Sequence, residues 1–162
     1  MNQIHAACRL CGNTDLQLIL SFGKTPLADR LLTRDQLDKP EITAPLDLAY
    51  CPECCLVQIT VSVDPNILFC DDYPYYSSVS PALLDHSRRN AKELIETRRL
   101  GANSLVIELA SNDGYLLKNF AEDKIPVLGI DPAEGPAKVA QNAGIPTMCT
   151  IFTVELAERL RD

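Results

Sequence analysis

The chain has 162 residues, 46% of them hydrophobic, and a formal net charge of −7. That size and apolar content suit one ordinary domain or two small ones with a real core. The acidic balance argues against nucleic acid as a main partner, because phosphate recognition needs clustered Lys and Arg. No apolar run is long enough to predict a membrane span. Met1 to Ala7 has no apolar stretch of signal-peptide type. Seven cysteines without an export signal point to a reducing cytoplasm.

Residues 1–70 are interrupted by prolines and carry short β-like runs. Leu16–Ser21, Leu46–Tyr50 and Leu56–Val61 are predicted strands. Pro26, Pro40 and Pro45 are expected to break up the stretch between the pairs Cys8/Cys11 and Cys51/Cys54. Thr33–Leu37 is expected to form one or two helical turns, with Thr33 as N-cap. Residues 71–103 read as a connector. Asp71–Ser80, rich in Tyr, Ser and Pro, is expected to be irregular. Ser80-Pro81 then reads as an N-cap followed by proline at the first helical position. Leu83, Leu84, Ala91, Leu94 and Ile95 share one face of a helix running to about Leu100, with Gly101 as its stop. Arg88, Arg89, Arg98 and Arg99 read as its solvated face.

Residues 104–162 alternate strand and helix. Ser104–Leu109, Val127–Ile130 and Thr147–Phe152 are predicted strands. Gly114–Glu122, Glu134–Asn142 and Val154–Leu160 are predicted helices, the last capped by Thr153. Near-continuous apolar strands between amphipathic helices predict a parallel sheet. The fold class is therefore α/β: a small β-rich lobe, then a partial Rossmann-like sheet of three β/α units.

Two patterns carry chemistry. Cys8-x-x-Cys11 and Cys51-x-x-Cys54 are separated by 39 residues. Two such turns complete a tetrahedral four-thiolate zinc site, closed to water and so structural. The other reading is a redox pair or scattered core cysteines, but a redox motif occurs once and beside a βαβ unit. Cys55 is expected to point away from the cluster, and Cys70 and Cys149 to be ordinary buried thiols.

The second pattern is Val106 to Gly114, where a strand turns into a helix. That is the cofactor position of a doubly wound fold, and small residues there allow backbone N–H groups to approach a ligand. Gly114 is all that remains of a glycine-rich pattern, so a dinucleotide and a nicotinamide oxidoreductase are disfavoured. Asp131, 23 residues after Glu108, stands where an acid can take both ribose hydroxyls of an adenosyl group. Its other reading is a cap for the following helix.

Five pieces together resemble the N-terminal half of the zinc-containing sugar C-methyltransferases. They are Cys8-Arg9-Leu10-Cys11-Gly12, Cys51-Pro52-Glu53-Cys54 with Leu56-Val57-Gln58, Asp72 to Ser80, Glu108 to Leu117, and Gly129 to Ala133. Their order and spacing match over essentially the whole chain. The resemblance implies a zinc lobe and an S-adenosylmethionine-binding domain acting on a nucleotide-linked keto-deoxysugar. It implies that Ala110, Ser111, Asn112, Asp113 and Gly114, with Glu108 before them, line the methionine part of the cofactor. Asp131, with Pro132, would lie at its ribose. Tyr75 and Tyr76 would face cofactor or sugar as catalytic groups, their other reading being aromatic packing. The zinc lobe would fix the loop that carries them. His86 is expected to be a surface residue and not the base.

The resemblance also implies strands and a C-terminal lobe beyond Asp162. On that expectation the chain is a truncated form with an open sheet edge that favours self-association, and it is inactive alone. The competing reading is a zinc-ribbon interaction module without catalytic activity.

Overall fold

A computed structural model describes residues 3–69 and 73–161. The chain divides into two units, Met1–Leu68 and Phe69–Asp162.

The first unit is built around an antiparallel hairpin. β1 (Gln3–Ile4), β2 (Gln17–Pro26), β3 (Thr43–Tyr50), β4 (Val57–Ile59) and β5 (Val61–Ser62) are followed by the single turn α1 (Pro65–Leu68). β3 lies between β2 and β4, while β1 pairs with β5. The expected break at Pro45 does not occur, because Pro45 sits in β3 opposite Lys24. It is tolerated because β4 covers only Leu48–Tyr50, so no ladder bond on that side is lost. β2 likewise continues to Pro26, with register shifts between Leu18 and Leu20 and between Ser21 and Lys24. The run expected as one strand from Leu56 splits at Thr60, whose N–H donates to Asp47 C=O and whose C=O accepts from His5 N–H. Arg34–Gln36 is a 3-10 turn, and Gln36 Oε1 accepts the Thr33 N–H at 2.9 Å. Leu18, Ile19, Leu20 and Phe22 on β2 are exposed, and the buried apolar residues of this unit are Cys8, Ala44, Ala49 and Cys51.

The second unit has a true core. α2 (Pro81–Arg98), β6 (Val106–Leu109), α3 (Leu117–Glu122), β7 (Val127–Asp131), α4 (Glu134–Asn142), β8 (Thr147–Cys149) and α5 (Val154–Arg161) follow in order. The sheet is parallel, ordered β6-β7-β8. Ala91, Leu117, Phe120, Ile125, Val127, Ala140 and Ile145 form one buried cluster, with Leu94 and Ile95 packed against it. α2 begins as expected, with Ser80 Oγ accepting the Leu83 N–H. It ends earlier than Gly101, at Arg99 in the left-handed region. α3 begins three residues later than expected, because Gly114 at φ +77° cannot belong to a right-handed helix. β8 stops at Cys149, short of Phe152. Thr153 Oγ1 accepts the Leu156 N–H at the start of α5. β6 and β8 are the two edge strands of the described sheet. Among the described residues, no helix is long and apolar enough to cross a membrane.

Candidate functional site

The two cysteine pairs sit on two loops of the same construction. In residues 8–13, Gly12 N–H donates to Cys8 C=O at 2.9 Å, and Cys8 N–H donates to Asn13 C=O at 2.8 Å. In residues 51–56, Cys55 N–H donates to Cys51 C=O and Cys51 N–H to Leu56 C=O, both at 2.9 Å. The residue after each pair takes a positive φ, Gly12 at +78° and Cys55 at +62°. Cys55 therefore occupies the glycine position of the second loop, which explains why it stays outside the cluster. Its sulfur accepts the Tyr50 hydroxyl instead.

The Sγ atoms of Cys8, Cys11, Cys51 and Cys54 all lie within 4.8 Å of one another. Cys8 and Cys54 approach to 3.5 Å, and Cys11 and Cys51 to 3.6 Å. Four sulfurs at tetrahedral Zn–S distances would be about 3.8 Å apart, so the donor set fits zinc. For Cys51, burial acts upward, but the backbone N–H of Cys54 and the Asn13 amide bring the thiol down to about 6. For Cys54, the Leu56 N–H acts downward, yet burial and the other three sulfurs push it up to about 12. Four sulfurs this close oppose one another's ionisation, and a divalent cation removes that conflict.

Two supports of this cluster are not legible from cysteine spacing. Asn13 Nδ2 donates to Cys51 Sγ at 3.6 Å. Gln58, buried on β4, spans the first loop: its Oε1 accepts the Arg9 N–H, and its Nε2 donates to Ala7 C=O.

The second group of residues gathers where β6 and β7 end. Ala110 and Asn112 both adopt positive φ, +59° and +49°. The turn they make folds over β7. The N–H groups of Ala110 and Ser111 donate to Ile130 C=O. The Asn112 N–H donates to Asp131 Oδ2 at 2.8 Å, and the Ala133 N–H to Asp131 Oδ1 at 2.8 Å. These backbone donors are thus engaged within the protein, unlike the open set expected for ligand approach. Asp131 does organise the entry to α4, and each of its oxygens retains a second lone pair. Gly129 lies beneath the turn. A Cβ there would meet Ser111 Oγ at 2.5 Å and Thr147 Oγ1 at 2.9 Å.

Glu108, Asp113 and Asp131 form an acidic group. Burial first, then the charges of Asp131 and Asp113, push the Glu108 carboxyl up to about 7. Glu108 Oε2, Ser111 Oγ and Asp113 Oδ1 are buried with no hydrogen-bond partner. The ion pairs seen among the described residues, Lys39 with Asp35 and Arg89 with Asp85, involve none of these acids. Tyr115, not singled out from sequence, belongs to this group. Its hydroxyl pKa is raised by burial and by Glu108, Tyr75 and Asp113.

Tyr75 is 42% exposed and Tyr76 half-buried. Pro132 is half-buried beside Asp131, and Gly114 is buried. His86 is exposed, as expected. Cys149 is exposed at the end of β8, not buried, because that strand ends there. Cys70 and Asp72 lie outside the described residues.

Comparison with known proteins agrees with this geometry. A family model described as "Putative zinc binding domain" (Methyltransf_13) matches residues 8–69. The C-methyltransferase NovU of Streptomyces niveus is 35% identical over 153 residues, which is 94% of this chain and 36% of that protein. Residues 8–69 thus match a zinc-binding domain model, and nearly the whole chain is similar to part of a C-methyltransferase. It spans about a third of the length of the curated relative it matches.

Proposed function

We propose that the chain is part of an S-adenosylmethionine-dependent C-methyltransferase acting on a nucleotide-linked keto-deoxysugar. The observation carrying this reading is the acidic group of half-buried Glu108 and buried Asp113 and Asp131 at the strand ends of a parallel sheet, outside the ion pairs seen among the described residues. The unpartnered oxygens of Glu108 and Asp113 call for donors and positive charge from a ligand. The likeness to a C-methyltransferase supports the same conclusion.

In this reading Glu108 and the Ala110–Gly114 turn hold the methionine part of the cofactor. Asp131 accepts ribose hydroxyls with its remaining lone pairs, beside Pro132. Bound S-adenosylmethionine supplies an electrophilic methyl group. Tyr75 or Tyr76 donates a hydrogen bond to the oxygen of a sugar enolate, stabilising the charge that develops when the carbon next to the keto group is deprotonated. The zinc cluster has no open position and serves structure alone.

Calorimetric titration of the chain with S-adenosylhomocysteine tests the cofactor part. One-to-one binding that Asp131→Ala weakens at least about ten-fold, the effect of losing a charged hydrogen-bond acceptor, is the expected result. No heat from either S-adenosylhomocysteine or S-adenosylmethionine sinks the reading and leaves a zinc-based interaction module. Saturation-transfer NMR with a nucleoside-diphosphate-linked keto-deoxyhexose tests the substrate class.

A further inference from the structure

The side chains of the cofactor turn do something that cofactor binding does not require. Asn112 Oδ1 accepts the Ser77 N–H at 2.8 Å, and its Nδ2 donates to Tyr75 C=O at 3.2 Å. Next to it, Asp113 Oδ2 accepts the Ser78 N–H at 3.1 Å. The Tyr-bearing segment is therefore fastened to the turn on both sides of Tyr76. Asn112 is itself fixed, because its own N–H is held by Asp131. Asparagine also suits the positive φ that this position requires.

Beside the same segment, α4 carries Gly135 in its first turn, where glycine is a poor helix former. A Cβ on Gly135 would stand 2.7 Å from the Tyr76 hydroxyl. The glycine leaves a notch in the helix that the Tyr76 ring end fills.

We propose that Asn112 is a positioning residue: its carboxamide locks the Tyr75–Ser78 backbone to the cofactor turn, and the Gly135 notch seats Tyr76. The placement of both tyrosines is thereby set by the same turn that meets the cofactor. What the tyrosines then do in catalysis rests on the methyl-transfer reading, but their placement does not.

Three variants separate the parts. Asn112→Gly keeps a residue that tolerates positive φ and removes both side-chain bonds. Asn112→Asp keeps an acceptor for Ser77 N–H but loses the donor to Tyr75 C=O. Gly135→Ala fills the notch, and only the flexible end of Tyr76 need move. Each is labelled with fluorotyrosine and followed by fluorine NMR without ligand, together with amide exchange.

In Asn112→Gly the Tyr75 and Tyr76 signals should shift or broaden while Tyr50 stays in place. Ser77 amide exchange should quicken about ten-fold, as for loss of one net hydrogen bond. Asn112→Asp should keep Ser77 protected yet move Tyr75, which decides the matter if the glycine variant does not fold. Gly135→Ala should move Tyr76 without lowering the melting temperature, since alanine favours the helix. Tyrosine signals that stay put in the folded variants overturn the proposal, whatever the exchange rates. Calorimetry with S-adenosylhomocysteine on the same samples judges the methyl-transfer reading separately, because the tyrosine signals are read without it.

Discussion

The two units solve the problem of holding a loop in place by opposite means. In the first, little apolar surface is buried: Cys8, Ala44, Ala49 and Cys51 are its buried apolar residues. Its loops converge on four sulfurs, so metal coordination substitutes for a core. In the second, Leu117, Phe120 and Ile130 are nearly inaccessible to solvent, and packing fixes the β6 and β7 ends on which the acidic group stands. Yet each unit secures its site with one buried side-chain amide that grips a distant backbone, Gln58 in the first and Asn112 in the second. Packing or metal brings the elements together, and the amide sets the loop.

Removing the metal should break this contrast most visibly. Structural zinc in small sites is worth about 10–16 kcal/mol, as much as the whole net stability of a typical domain, about 5–15 kcal/mol. A strong chelator, or Cys51→Ser, should collapse the amide NMR signals of β2 to β4 while those of β6 to β8 persist. Loss of both sets together would show that the second unit does not stand on its own core.

Gly129→Ala attacks the other side of the comparison. The new methyl would meet Ser111 and Thr147 inside the sheet layer, and overpacking of this kind costs about 1–3 kcal/mol. Calorimetric melting should show the loss in the second unit alone. Adding Ser111→Ala should recover part of it by removing the nearest atom.

A smaller effect should appear with pH. The Glu108 carboxyl is raised from an ordinary value of 4.5 to about 7, so the folded state binds a proton that the unfolded state has already released. Stability then falls as pH rises from about 4.5 through about 7 and levels off above. Glu108→Gln should be more stable than the parent by about 1–2 kcal/mol at alkaline pH, after allowing for solvent screening. That advantage should vanish towards pH 4.5, as read from denaturant melts. A cationic cofactor favours the ionised acid, so its affinity should rise across the same interval.

The smallest expected change concerns Cys55. A non-glycine residue with positive φ carries a steric penalty, partly offset by the greater freedom of glycine in the unfolded chain. Cys55→Gly should stabilise the metal-bound unit by about 0.5–1 kcal/mol and leave one zinc per chain, as measured by melting and metal analysis. A loss of metal would show Cys55 to be a ligand after all.

The parts legible in the sequence are those that short-range rules encode. The paired cysteines announced the metal cluster, and the Glu134–Asn142 helix has the expected bounds. The parallel sheet followed from apolar runs spaced by helices. The misread parts depend on partners far along the chain. Pro45 survives in β3 because of where β4 stops. Gly114 delays α3 because the turn before it must fold over β7. Asn112 meets Ser77 across 35 residues, and no periodicity signals such a pairing. The raised pKa of Glu108 likewise comes from burial first, and then from Asp131 and Asp113 beside it, which only the folded chain provides.

The matched loops of the first unit have one further consequence. A metal shared between them acts as a crosslink, closing the 39 residues between Cys11 and Cys51 into a ring. The entropy of closing such a ring grows only with the logarithm of its length, about 0.6 kcal/mol per doubling. The segment between β2 and β3, which contains the exposed 3-10 turn Arg34–Gln36, is therefore a place where the chain can lengthen or diversify at little cost to the clasp.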